Sequence, residues 1–77
     1  MAIGYVLVTI APAREQEVYV KLSKVAEISE LHTLFGEYDF IAKIEVKDYK
    51  KLSEIVINKI RPIDGIIDTK TLTGAKF

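Results

Sequence analysis

The chain has 77 residues, enough for one small domain whose core hides only about 60 to 65% of the unfolded surface, so association with further copies is a reasonable expectation. Eleven basic residues balance eleven acidic ones, which excludes a strong field for gathering nucleic-acid phosphates or anionic lipid, while 49% hydrophobic and 29% charged residues exclude a disordered chain. Without cysteine there is no disulfide, thiolate metal site or cysteine nucleophile. No stretch approaches the ~18 to 20 apolar residues of a membrane span, and no basic, then apolar leader opens the chain, so a cytoplasmic location is expected.

Ile3 to Ile10 is β-branched and aromatic over most of its length, which favours a strand that Pro12 ends. Pro12 also suits the opening turn of a helix from Ala13 to about Val25, where Val18, Leu22 and Val25 share one stripe. Two strand-like runs follow, Ile28 to Phe35 and Phe40 to Val46, and in the second Phe40, Ala42, Ile44 and Val46 alternate with Ile41, Lys43 and Glu45. Asp48 is placed as the N-cap of a second helix, with Leu52, Ile55, Val56 and Ile60 along one face. Arg61-Pro62 stops it, Asp64-Gly65 turns the chain, and Ile66 to Thr73 makes a last strand. The order βαββαβ predicts an α+β fold of the double split-βαβ kind. It would have a four-stranded antiparallel sheet, two helices on one face, and the first and third strands in the middle.

The first strand conflicts with a sheet covered on one side only. Val6, Val8 and Ile10 fall on one parity and Ile3, Tyr5 and Leu7 on the other, so both faces read as buried. The simplest solution is a dimer packed sheet to sheet. Scattered apolar residues are also ordinary on a monomer surface.

Between the second and third strands stands Gly36-Glu37-Tyr38-Asp39. Gly36 supplies the positive φ a hairpin needs and Asp39 an Asx-type side chain, but a turn does not require a large amphipathic ring. Tyr38 could cover a bound molecule with its ring and hydrogen-bond it through its hydroxyl. On spacing alone the segment reads equally as a tight turn with a packed tyrosine.

Leu34-Phe35-Gly36-Glu37-Tyr38-Asp39-Phe40, then Asp48 and Leu52, Ile60, Gly65-Ile66 and Thr69-Lys70-Thr71, resembles the effector-binding (RAM) module of the Lrp/AsnC feast/famine transcription regulators over essentially the whole chain. The resemblance implies a ferredoxin-like fold, residues 1–77 as a single ligand-binding domain, dimers joined sheet to sheet, and assembly of dimers into octamers or similar rings. It implies no enzymatic activity and no cofactor, with amino acids or related metabolites bound at the junctions between dimers. Residue by residue, Gly36, Tyr38, Asp39, Thr69 and Thr71 match the family's ligand pocket, with Leu34 a wall. Regulators of this family carry a helix-turn-helix domain before the module, whereas here the first strand begins at Ile3. The chain therefore looks like a stand-alone module that modulates helix-turn-helix paralogues without touching nucleic acid or membrane.

A free amino acid needs an anion for its ammonium and oriented donors for its carboxylate. Asp39 could serve the first, and turn amides near Gly36 with the Thr69 and Thr71 hydroxyls the second. Threonine is also simply a good strand former. Other readings remain open: a small dimeric ferredoxin-like enzyme with His32 as base, an ACT-type regulatory module, or a purely structural assembly subunit. His32 has no paired acid at a diagnostic spacing. ACT pairs usually join edge to edge, which would leave the second face of the first strand bare.

Overall fold

The computed structural model describes residues 1–74. Four strands, β1 (Ala2–Ile10), β2 (Ile28–Thr33), β3 (Phe40–Val46) and β4 (Ile66–Thr73), form one antiparallel sheet in the order β2-β3-β1-β4. Helix α1 (Glu15–Ser23) joins β1 to β2, and α2 (Tyr49–Ile55), continued by a π-helical turn over Val56–Ile60, joins β3 to β4. This is the βαββαβ arrangement expected from the periodicity, with β1 and β3 central.

Period-two alternation divides the sheet. Val6, Val8 and Ile10 of β1 and Phe40, Ala42 and Ile44 of β3 are buried, as are Val18 and Leu22 of α1 and Leu52, Ile55, Val56 and Ile60 of the second helical segment. Registers such as Val8 opposite Phe40 and Val6 opposite Ala42 keep these side chains on one face, where the helical stripes close over them. Gly4 matters here because it has no side chain: a Cβ would lie 2.6 Å from Leu52 Cδ2, so any other residue requires the buried Leu52 side chain to shift.

The opposite face carries Ile3, Tyr5, Leu7 and Thr9 from β1, with Ile41, Lys43 and Glu45 opposite on β3 and Leu72, Lys70 and Asp68 opposite on β4. Ile3, Leu7 and Ile41 remain partly accessible and Tyr5 and Leu72 exposed. No element of the described chain crosses this face. The apolar residues form its middle, and Glu30 and His32 of β2 mark one margin, with Glu30 bonded to His32 at 3.1 Å and to Lys43 at 3.5 Å.

Four element ends differ from the expectation, the smallest difference being the start of β1 at Ala2 rather than Ile3. Helix α1 starts at Glu15 rather than Ala13, because Ala13 sits at φ +67°, outside helical space, and Arg14 precedes the first turn with no side-chain cap. The Arg14 guanidinium instead bonds Glu17 at 2.7 Å and Asp64 at 3.0 Å, which fastens the helix start to the turn before β4 and holds both carboxyls below their usual range. At its other end α1 stops at Ser23, short of Val25, which still packs on the core. Strand β2 ends at Thr33 rather than Phe35. The bond from Leu34 N–H to the Asp39 carbonyl, 2.8 Å, is its last rung toward β3, and the chain beyond leaves the sheet.

Asp48 caps α2 as expected, accepting from Lys51 N–H at 2.8 Å in extended backbone geometry. The helix then widens: Arg61 N–H reaches back five residues to the Val56 carbonyl at 2.9 Å before Pro62 ends it.

Candidate functional site

The β2–β3 connection, Leu34 to Asp39, projects from the end of the sheet where β1 finishes and β4 starts. Gly36 holds φ +117°, a conformation closed to most side chains, and a Cβ there would meet nothing within 4 Å, so the glycine answers to backbone shape alone. Leu34 is exposed, Phe35 fully so, and Tyr38 half-buried. A free phenylalanine on a loop tip is a costly exposure, and the sequence reading passed it over as the end of a strand.

Asp39 does structural work in this chain. Its N–H donates to the Val8 carbonyl at 2.9 Å and its Oδ2 accepts from Ile10 N–H at 2.7 Å. Pairing between β1 and β3 ends at Val8 opposite Phe40, so the carboxylate takes the place of a further rung and satisfies an N–H that would otherwise face no acceptor. Opposite, β1 and β4 slip register between Thr9 and Ile10, which leaves Ile67 as an extra, exposed residue. One carboxylate oxygen of Asp39 is thereby committed to the fold.

Thr69 and Thr71 stand opposite Val8 and Val6, hence on the helix-covered side of β4, and Thr73 continues the row opposite Gly4. They are separated from the hairpin residues by β1. In one chain the six expected ligand residues therefore form two groups, Leu34, Gly36, Tyr38 and Asp39 at the hairpin and Thr69 with Thr71 at the edge strand. Thr69 lines a depression with Arg61, Ile66, Ile67 and Asp68, whereas Thr71, with Thr73, lines an adjoining groove between α2 and β4. Leu52 and Val56 floor it, Tyr49 and Ile57 rise on the helix side, and Arg61 closes one end, its Nε donating to Thr69 Oγ1 at 3.2 Å. Sequence reading treated Arg61 only as a helix stop. Ile57 and Arg61 are four residues apart, however, and Thr73 repeats the parity of Thr71, so the pattern of a polar-rimmed groove was present.

Residues 4–73 match the family described as the Lrp/AsnC ligand binding domain. The chain belongs to the Lrp/AsnC ligand-binding family. An uncharacterized HTH-type transcriptional regulator of Pyrococcus horikoshii, PH0140, is 32% identical over 76 residues, covering 96% of this chain and 48% of its own length. The chain thus spans about half the length of the curated relatives it matches. The crystal structure of FFRP-DM1 superposes with a TM-score of 0.91 at 33% identity, over 97% of this chain and all of that one. That of hypothetical protein PHS023 from Pyrococcus horikoshii gives 0.89 at 32% identity, over 100% and 93%. The four-stranded sheet with two helices is therefore the ferredoxin-like fold of its Lrp/AsnC relatives. No helix among the described residues is long and apolar enough to cross a membrane.

Proposed function

We propose that this Lrp/AsnC module senses a free amino acid or closely related metabolite and passes the signal on through association with further copies and with helix-turn-helix relatives, without itself contacting DNA. The observation that carries the reading is the projecting hairpin of a chain that matches a ligand-binding family: Gly36 shapes a tip that exposes Leu34 and Phe35 and presents Tyr38 and Asp39 beside it. In such a junction Asp39 Oδ1 takes the ammonium, loop amides near Gly36 meet the carboxylate, and Thr69 or Thr71 comes from the adjoining dimer. Balanced charge gives these 77 residues few phosphate contacts to offer.

Thermal unfolding in the presence of each of the twenty amino acids tests the proposal. An effector at 100 times its dissociation constant adds about 2.7 kcal/mol, a shift well above noise. Asp39→Asn is the informative variant, because its amide oxygen still accepts from Ile10 N–H while the charge is gone. It is expected to melt close to the parent and to lose the response. A flat response of the parent to all twenty contradicts the sensing role, and an undiminished response of the variant moves the ammonium partner elsewhere.

A further inference from the structure

The groove between α2 and β4 is complete within one chain, and its chemistry differs from that of the hairpin. It encloses about 300 Å³, the low end of small-molecule clefts. Leu52, Val56 and Ile57 give it an aliphatic floor and part of its helix wall, which Tyr49 and Ser53 complete, and its strand wall offers the Thr71 and Thr73 hydroxyls. Its single charged residue is Arg61. Arg61 forms no ion pair among the described residues, and with Nε on Thr69 its two terminal nitrogens remain without a protein partner there. No acid lines the groove; Asp68 lines a neighbouring depression that Arg61 also borders.

A second observation bears on the same place. The π-helical turn spans Val56–Ile60, so the wall and floor residues Val56 and Ile57 lie in the widened turn and Arg61 follows it, its N–H bonded to Val56. Such turns cost regular hydrogen bonding and occur frequently where a helix must re-aim a functional side chain. Here the widening leaves Ile60 in the core and sets Arg61 at the groove end against β4.

From this geometry we infer that the α2–β4 groove is a binding site for a small aliphatic monocarboxylate without a cationic group, its carboxylate held by Arg61 and its tail on Leu52, Val56 and Ile57. A planar guanidinium with one nitrogen already oriented by Thr69 is well prepared for a two-point bond to a carboxylate. An amino acid of equal tail length brings an ammonium that finds no acidic partner on the groove lining and loses its hydration there. The site lies across β1 from Asp39 of the same chain and no hairpin residue lines it, although Thr71 is also a candidate contact of the effector junction proposed above.

Titration of ¹⁵N-labelled protein with 4-methylpentanoate, followed by NMR, tests the assignment. Resonances of Tyr49, Thr71, Thr73 and the Arg61 side chain are expected to move together and saturate. Arg61→Gln is expected to weaken binding about tenfold or more, as is replacing the ligand by leucine. Ile57→Asp, at an exposed position that can take a charge without unfolding the helix, is expected to abolish binding by opposing the carboxylate. Asp39→Asn should leave the titration unchanged, which separates this site from the hairpin. Absence of saturable shifts, equal affinity in Arg61→Gln, or tighter binding of leucine than of 4-methylpentanoate would each overturn the inference.

Discussion

Ala13 and Gly65 hold the same corner of the molecule, where α1 begins and β4 approaches, and both adopt positive φ, +67° and +106°. An alanine in this region carries a steric penalty that glycine lacks. Ala13→Gly is therefore expected to raise the urea midpoint, by a net gain of roughly 0.5 to 1 kcal/mol after the extra chain entropy of glycine is subtracted. Gly65→Ala should do the reverse and more, since its Cβ would lie 2.7 Å from Val18 Cγ2 inside the core as well as in strained backbone. A loss of roughly 2 kcal/mol or more is expected, against a smaller loss for Gly36→Ala, whose added methyl meets open space. Equal losses at the two glycines would show that backbone strain alone decides both. Asp39→Ala belongs to this scale too. It strips the acceptor from Ile10 N–H and should cost roughly 1 to 3 kcal/mol with no ligand present, which Asp39→Asn should largely restore. Reading the sequence found Gly36 and Asp39 as a pair but missed this role, because the partner N–H is 29 residues away and depends on where β1–β3 pairing stops.

At the scale of elements, β4 and the capped start of α2 were legible to the residue, because period-two and period-three-to-four patterns with Asp48 and Arg61-Pro62 at their limits leave little choice. The start of α1 was not: Pro12 and a following apolar stripe suit a helix at once, whereas the tertiary bond of Arg14 to Asp64 belongs with an arrangement that holds Ala13 out of it. Nor was the π turn over Val56–Ile60, which no residue preference in this stretch announces. The same turn carries Lys59, which donates to Glu27 Oε2 at 2.7 Å and ties the second helical segment to the α1–β2 loop. Glu27 is only 22% exposed at its side chain and its Oε1 is buried without a partner among the described residues, so the lysine is its main compensation. That hydrogen bond holds the Glu27 carboxyl below its usual range. A depressed carboxylate contributes stability above its unfolded value, about 4.3, and loses it as pH falls through the lower folded value. Lys59→Ala should accordingly raise the Glu27 pKa measured by NMR, and its stability deficit at pH 7 should shrink as both proteins are acidified below about pH 4. A deficit that stays constant with pH would assign the effect to lost packing of the lysine stem.

For the whole molecule, the decisive feature is the uncovered sheet face, whose middle is Ile3, Tyr5, Leu7 and Ile41 with Leu72 beside them. A small domain has little margin to leave such a surface wet, and we propose that a two-fold copy of the same face covers it, with Glu30, His32 and Lys70 of the edge strands toward the rim and Lys43, opposite Tyr5, inside it. This face was readable because β1 is apolar on both parities, an excess that one helix layer cannot explain. Within one chain the expected ligand residues fall into two groups because β1 lies between them. Light scattering on the eluting peak in size exclusion tests the claim that the bare face is an interface, comparing the parent with Ile41→Glu, a charge placed at its centre. The parent should give twice the 8.7 kDa chain mass or a multiple of that dimer, and Ile41→Glu should fall toward the mass of one folded chain. A parent that elutes as a single 8.7 kDa particle would contradict the account.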